Sequence, residues 1–251
     1  SPLHGWLPTA HPAAPSPASA VLSGVITKAG VLGVIRLMYC YLGADFLRGT
    51  WVQTAYMCMT LLTIFTGSLL AYHEGHLKKR LAWSSVSQVS YVLFGLSTMN
   101  PVGLVGALLH AIAHSLAKDT LFMSAGAIIM KTEKTNVADL KGIGKQMPVT
   151  MACFTVASLG LVGIPPCMGF ISKWYLAQGA MAANGVDIVF HVLGPVVLLI
   201  SALLTAGYLF PIVIRGFIVG NAGHGHGHDE PTEVFVRNDA PKMMLIPLLV
   251  L

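Results

Sequence analysis

Long apolar runs alternate with short polar ones along this chain. A helix needs about 20 mostly apolar residues to cross a bilayer. Runs of that kind recur at about Ala18–Tyr41, Trp51–Tyr72, Leu81–Met99, Pro101–Met130 and Ile188–Arg215. The stretch from Met147 to Ala183 is too long for one simple span and too short for two spans separated by a loop. It is interrupted by GIPPCMGF, in which Pro165 and Pro166 remove two backbone donors and Gly163 and Gly169 relax the chain. The pattern predicts a discontinuous helix, broken at Ile164–Phe170, with its second half starting near Ser172. Such breaks are tolerated at membrane depth only where they line a cavity or are buried in protein. The predicted fold is all-α: a polytopic transmembrane bundle of about six spans over residues 18–216, one of them broken.

The flanking segments read differently. Residues 1–17, with HGWLPTAHPAAPSP, predict a proline-rich, non-helical loop or the end of a broken helix, and Ser19 is a candidate N-cap for the first span. Residues 217–240 form a His/Gly-rich polar loop, and 241–251 begin an apolar segment too short to span. Ser1 is no initiator and no signal peptide precedes the first span, so the expectation is the interior of a longer membrane subunit.

Composition agrees with the pattern. The chain is 55% hydrophobic and 10% charged, with a mean hydropathy of +0.71, where soluble domains carry about 25% charged residues. A net charge of +5 then points to basic loops rather than to nucleic acid. Ten of the 15 Lys and Arg fall in three alternate connections: Lys78, Lys79 and Arg80; Lys131, Lys134, Lys141 and Lys145; Arg215, Arg237 and Lys242. The opposite loops hold Arg48 alone. By the positive-inside rule the basic loops are cytoplasmic, which places a multi-pass protein in the cell (inner) membrane. Cys40, Cys58, Cys153 and Cys167 lie in or beside apolar segments without CxxC spacing, and read as buried thiols outside any metal site or disulfide framework.

The chemistry lies inside the spans. PVGLVGALLHAIAHSLAKDTLF carries His110, His114, Lys118 and Asp119 at its middle, the first three at i, i+4 and i+8 on one helix stripe. Ionisable groups at that depth cost several kcal/mol each and face a bundle interior, a wet cavity or a partner charge. Histidine exchanges protons near neutrality. Such a stripe can hand protons along, or it can serve only to glue helices. Lys28 stands mid-span among Gly24, Ala29, Gly30 and Gly33, and Lys173 stands just past the predicted break, beside the N-terminal amides of the second half-helix. The hydroxyl-rich WSSVSQVSY suits helix contacts and a hydrated vestibule equally. His224, His226 and His228 in GHGHGHDE read as a solvated loop, with no metal site assigned. No Fe–S cysteine pattern, haem motif or nucleotide loop appears, so no cofactor is assigned to this chain.

HGWLPTAHPAAPSP, SGVITKAGVLGVIR, LKKRLAWSSVSQVSY, HAIAHSLAKDTLF and GIPPCMGFISKWYL, in that order, resemble the antiporter-like proton-translocating subunits. These are the large membrane subunits of respiratory complex I, of membrane-bound hydrogenases and formate hydrogenlyases, and of multisubunit Na⁺/H⁺ antiporters. The resemblance implies a subunit of two inverted repeats, each with a broken helix, around a hydrophilic axis. It implies that Lys28 links two half-channels, that His110, His114 and Lys118 form a relay, and that Lys173 is the terminal group beside the break. It also implies partner membrane subunits and H⁺ as the transported ion. Three functions remain open at this point: a redox-driven proton-translocating subunit, a Na⁺/H⁺ antiporter subunit, and a non-conducting scaffold.

Overall fold

The computed structural model describes residues 5–217, 239–241 and 248. Among these it is helical throughout, with no strand, a multi-pass transmembrane bundle. Helix α1 (Trp6–Ala13) and helix α2 (Ser16–Val21) are separated by a kink at Ala14–Pro15. Helix α2 runs on through a π-helical turn, Leu22–Ile26, into α3 (Thr27–Ile35) and a second π-helical turn, Arg36–Tyr41. After a short turn α4 (Ala44–Leu47) come α5 (Trp51–His73), α6 (Leu77–Ser97) and α7 (Pro101–Thr132). A connection holding α8 (Ile143–Gln146) leads to α9 (Pro148–Val162), α10 (Met168–Met181) and α11 (Ile188–Phe217).

Local chemistry explains most of these boundaries. Proline opens α7 and α9 at N1, where its missing N–H would be unpaired in any case. Asn100 caps α7, its Oδ1 accepting from Gly103 N at 2.7 Å. Gly163 ends α9 at φ +86°, a left-handed conformation glycine adopts without a Cβ penalty.

Among the described residues four helices are long and apolar enough to cross a membrane: Ser16–Tyr41, Trp51–His73, Pro101–Thr132 and Ile188–Phe217. Helix α6 is less apolar because it carries a basic first turn and a run of serines, and those serines are buried. It packs between α5 and α7, while α10 packs against α7 and α11. One core cluster joins Leu77, Leu121, Phe122, Phe154 and Tyr208; a second joins Met57, Tyr91, Phe94, Ala107 and Leu176.

The sequence expectations need five corrections. Of the two readings of the proline-rich lead-in, the loop gives way to the end of a broken helix: Trp6–Ala13 is helical, since Pro8 falls in the first turn, where its missing N–H costs nothing, and Pro12 forfeits only its bond to the Pro8 carbonyl. Ser19 is not an N-cap: it lies inside α2 and its hydroxyl reaches back across the kink to the His11 carbonyl at 3.1 Å. LKKR is the first turn of α6 rather than loop, with Lys78 bonded to Ala14 O and Arg80 to Glu74 O and Tyr208 O. The second half-helix begins at Met168, so the break is Gly163–Cys167 and both Gly169 and Ser172 are helical. The four cysteines are free, but Cys40 and Cys58 are exposed and Cys153 and Cys167 half-buried, on the apolar outer faces of their segments. Residues 218–238 and most of 242–251, including His224, His226 and His228, lie outside the described residues.

Candidate functional site: a buried row of ionisable side chains

Helix α7 brings His110, His114 and Lys118 onto one inward stripe, and all three are buried, Lys118 at 0% exposure. Their partners come from other helices. Lys28 Nζ lies 2.7 Å from His114 Nδ1 and donates to Ser23 O at 2.5 Å. The π-helical turn just before it presents the Ser23 and Gly24 carbonyls sideways: Thr27 Oγ1 also donates to Ser23 O, and Ser115 Oγ of α7 donates to Gly24 O. Short π-helical segments are rare and recur at functional sites. Gly24 lets the Asp119 carboxylate pack directly against the turn, since a Cβ there would strike it and force it aside. Asp119 has one buried oxygen without a partner among the described residues.

His110 links three helices. Its Nδ1 is 2.9 Å from Ser172 Oγ on α10, and its Nε2 is 3.0 Å from Gln88 Oε1 on α6. Ser172 has one hydroxyl proton and two acceptors in reach, His110 Nδ1 and Gly169 O at 3.0 Å. With Nε2–H donating to Gln88, the neutral ring takes the Ser172 proton at Nδ1. A ring protonated at both nitrogens turns that hydroxyl toward Gly169. Ser172 thus accommodates both charge states without leaving an unpaired group.

Lys118 Nζ donates to Leu81 O at 2.8 Å and to Ser84 Oγ, and stands 5.8 Å from the Phe122 ring centre. The rings of His110 and His114 are 6.4 Å apart, and Tyr91 stacks on His110 at 5.2 Å. Lys173 Nζ lies 5.4 Å from the centre of the same tyrosine ring. A cavity of about 360 Å³, lined by Gly163, Phe170, Trp174 and Leu198, opens beside Lys173.

One expectation about Lys173 changes. It is not held at the N-terminal amides of α10; its Nζ donates to Leu161 O and Val162 O, at 2.8 Å each. Those are carbonyls at the C-terminal end of α9, where the helix dipole is negative and a cation is welcome. The reason is length: Lys173 sits on the second turn of α10, and its stem reaches back across the break.

The serines of α6 divide between the two roles left open for them. Ser85 and Ser87 join helices, to Ser23 at 2.8 Å and to Ser68 at 2.7 Å, whereas Ser84 and Gln88 hold Lys118 and His110. Tyr91 and Ser172 escaped the sequence reading. Their only signal was position, three residues after Gln88 and one before Lys173.

Residues 1–201 match the model of the family described as NADH:quinone oxidoreductase/Mrp antiporter, transmembrane. The chain belongs to that family. It is 37% identical over its whole length to NADH-quinone oxidoreductase subunit N of Desulforudis audaxviator (strain MP104C), of which it spans 49%. It is 34% identical to hydrogenase-4 component B of Escherichia coli (strain K12), spanning 38% of that protein. Among solved structures, an archaeal membrane-bound sulfane sulfur reductase complex contains a chain that superposes with a TM-score of 0.81 at 31% identity. The match covers 98% of this chain and 39% of that one. A chain of the Mrp complex from Dietzia sp. DQ12-45-1b superposes with a TM-score of 0.79 at 27% identity, over 86% of this chain and 39% of that one. The chain thus spans half or less of the family members it matches.

Proposed function

We propose that this chain is part of a proton-translocating antiporter-like subunit in a membrane respiratory or hydrogenase-type complex, moving H⁺ along Lys173, His110, His114, Lys28 and Lys118. The observation that carries the reading is the 2.7 Å contact between Lys28 Nζ and His114 Nδ1, which joins titratable groups of two helices inside the bundle. As an ammonium, Lys28 donates to Nδ1; if the proton crosses, an imidazolium faces an amine, and the same hydrogen bond serves both states. The larger gaps, such as the 6.4 Å between the His110 and His114 rings, need a side-chain swing or an intervening water.

Coupling follows from electrostatics. Buried cations close together cannot all hold protons cheaply, so charging one drives another's proton onward. Moving one charge through 100 mV takes about 2.3 kcal/mol, the size of a shift of under two pKa units. Redox chemistry belongs to partner subunits, as the relatives named as subunits and components of larger assemblies suggest. Use of the same axis for Na⁺/H⁺ exchange is the competing reading, and a chain of an Mrp complex is among the structural neighbours.

The test is proton uptake into vesicles holding the full-length protein in its parent complex. Lys28→Ala and Lys118→Ala are expected to abolish most translocation while assembly persists. Normal pumping in both would leave the buried row as helix glue.

Six crossings, with the basic loops cytoplasmic, complete the proposal. Two separate loop clusters support it: Leu77 N bonds Thr135 O at 2.9 Å and Gly142 N bonds Arg215 O at 3.1 Å, whereas Arg48 Nη2 reaches Met99 O at 2.7 Å. Cysteines introduced at Lys79 and Lys141 should label from one side of oriented vesicles, and those at Arg48 and Asp187 from the other. Labelling of Lys141 and Arg48 from the same side would overturn it.

A further inference from the structure

Asp119 is the odd member of the buried row. Among the described residues it is the only acidic side chain within a long helix, and the ionisable groups around it are basic. A carboxylate at that depth is retained where it answers a buried positive charge. Its place is shaped by the π-helical turn: the carboxylate packs into the space that a Cβ on Gly24 would fill. One of its oxygens is buried and has no hydrogen-bond partner among the described residues. Ser115, one turn earlier on α7, donates to the Gly24 carbonyl and ties the two helices together at this point. Lys28 lies one turn after Gly24. Its ammonium has three N–H groups, and two are spent, on Ser23 O at 2.5 Å and on His114 Nδ1 at 2.7 Å. The third N–H and the unpartnered Asp119 oxygen remain, and the two charges act on each other. The other titratable groups that feel Lys28 are His110, His114 and Lys118, all on α7. From α6 the turn meets the Ser85 hydroxyl, 2.8 Å from Ser23 Oγ. Among the described residues, Asp119 is therefore the one negative charge facing Lys28.

We propose that Asp119 is the counter-charge of Lys28, a positioning residue that holds the shared proton on the lysine side of the Lys28–His114 hydrogen bond. This rests on the proposed function and adds what decides where that proton waits. The bond has two forms, an ammonium facing a neutral imidazole and an amine facing an imidazolium. Both carry one positive charge, so they differ only in where it sits. Asp119 faces Lys28, whereas His114 faces the cations Lys28 and Lys118. The carboxylate therefore lowers the energy of the ammonium form, and Lys118, when charged, raises that of the imidazolium form. Asp119 keeps its own charge throughout and passes no proton.

The test is the pH profile of proton uptake by vesicles holding the full-length protein in its parent complex, with and without Asp119→Asn. Asparagine keeps the shape and removes the charge, so Lys28 should give up its proton at lower pH. The alkaline limb of uptake is expected to move to lower pH by about one unit, the smaller end of what a close opposite charge does. Partner subunits are the same in both preparations, so their own pH dependence is common to the two. Asp119→Glu keeps the charge and should keep the wild-type limb. An unmoved limb in Asp119→Asn, or an equal shift in Asp119→Glu, would overturn the counter-charge; with Lys28→Ala still inactive, the axis would stand. Normal uptake in Lys28→Ala would remove both. Coupling between two sites is reciprocal, so a second measurement leaves Asp119 in place. Infrared titration of ¹³C-aspartate-labelled protein reads carboxyl protonation before and after Lys28→Met. One carboxyl should raise its midpoint by about half a pH unit or more; the absence of any such carboxyl overturns the proposal even if Asp119→Asn fails to assemble.

Discussion

The bundle contains two interrupted helices, and they are built differently. At Ala14–Pro15 the interruption is made by prolines, and the loose Ala14 carbonyl is taken by Lys78, a cation from another helix at the basic end. At Gly163–Cys167 it is made by glycine and the Pro165–Pro166 pair, and the loose Leu161 and Val162 carbonyls are taken by Lys173, a cation of the broken helix itself. Both breaks solve the same problem, since carbonyls released inside a membrane need donors. The difference lies in what else the donor can touch. Lys78 opens α6 beside the basic loops, whereas Lys173 lies against Tyr91, on which His110 stacks. The first lysine is therefore expected to act as a fixed cap and the second as a carrier.

The largest effect should separate those roles. In vesicles containing the parent complex, Lys173→Ala and Lys173→Arg should both lose about tenfold or more of proton uptake, because arginine cannot deprotonate in a protein. Lys78→Arg keeps the charge and should retain most activity. Equal losses in Lys78→Arg and Lys173→Arg would show that both lysines carry protons and that the distinction fails.

Packing at the breaks should differ by less. A Cβ on Gly169 would strike the Gly160 carbonyl, a backbone atom that cannot yield without parting α9 from α10. A Cβ on Gly126 would strike the Ser16 side chain, which can partly turn away. Overpacking costs about 1–3 kcal/mol, so Gly169→Ala is expected near the top of that range and Gly126→Ala near the bottom. Denaturation midpoints in detergent rank them, and the reverse order would mean that the second break is the softer one.

The smallest effect concerns how the first half of the second break is anchored. Asp239 accepts from Val149 N at 2.9 Å and Thr150 Oγ1 at 2.7 Å, capping the start of α9 from a distant part of the chain. Among the described residues no side chain caps the start of α1, whose N-cap is Gly5. Partial burial pushes the Asp239 carboxyl upward, but the hydrogen bonds from Thr150, Val149 and Ala240 outweigh it and hold the group below the usual carboxylate range. A depressed value in the fold means stability that is present above the unfolded value of about 3.9 and lost as pH falls through the folded value. Asp239→Ala should cost about 0.5–2 kcal/mol at neutral pH, as lost N-caps do. Asp239→Asn should flatten the part of the acid-melting curve below about pH 4. An unchanged acid limb in Asp239→Asn would place the acid sensitivity elsewhere.

Much of this molecule was legible along the chain because membrane helices obey local rules. Apolar length set Trp51–His73 and Pro101–Thr132 to within two residues, and the i, i+4, i+8 spacing put His110, His114 and Lys118 on one stripe whatever they packed against. The GIPP segment announced a break for the same reason, since proline and glycine act on their own backbone. The ends of the breaks were less legible: the prolines left open whether residues 1–17 were a loop or the end of a broken helix, and the structure makes Trp6–Ala13 a helix that ends at the Ala14–Pro15 kink.

Only the tertiary structure could decide which groups meet. Nothing in the spacing pairs Lys28 with His114, turns Lys173 toward the α9 carbonyls, or lays His11 on Phe122. Those contacts depend on how far each helix is rotated about its axis and where the helices cross, which packing of the whole bundle sets. A helix period tells which face a side chain occupies, but a partner 86 or 111 residues away is fixed only when both faces are brought together.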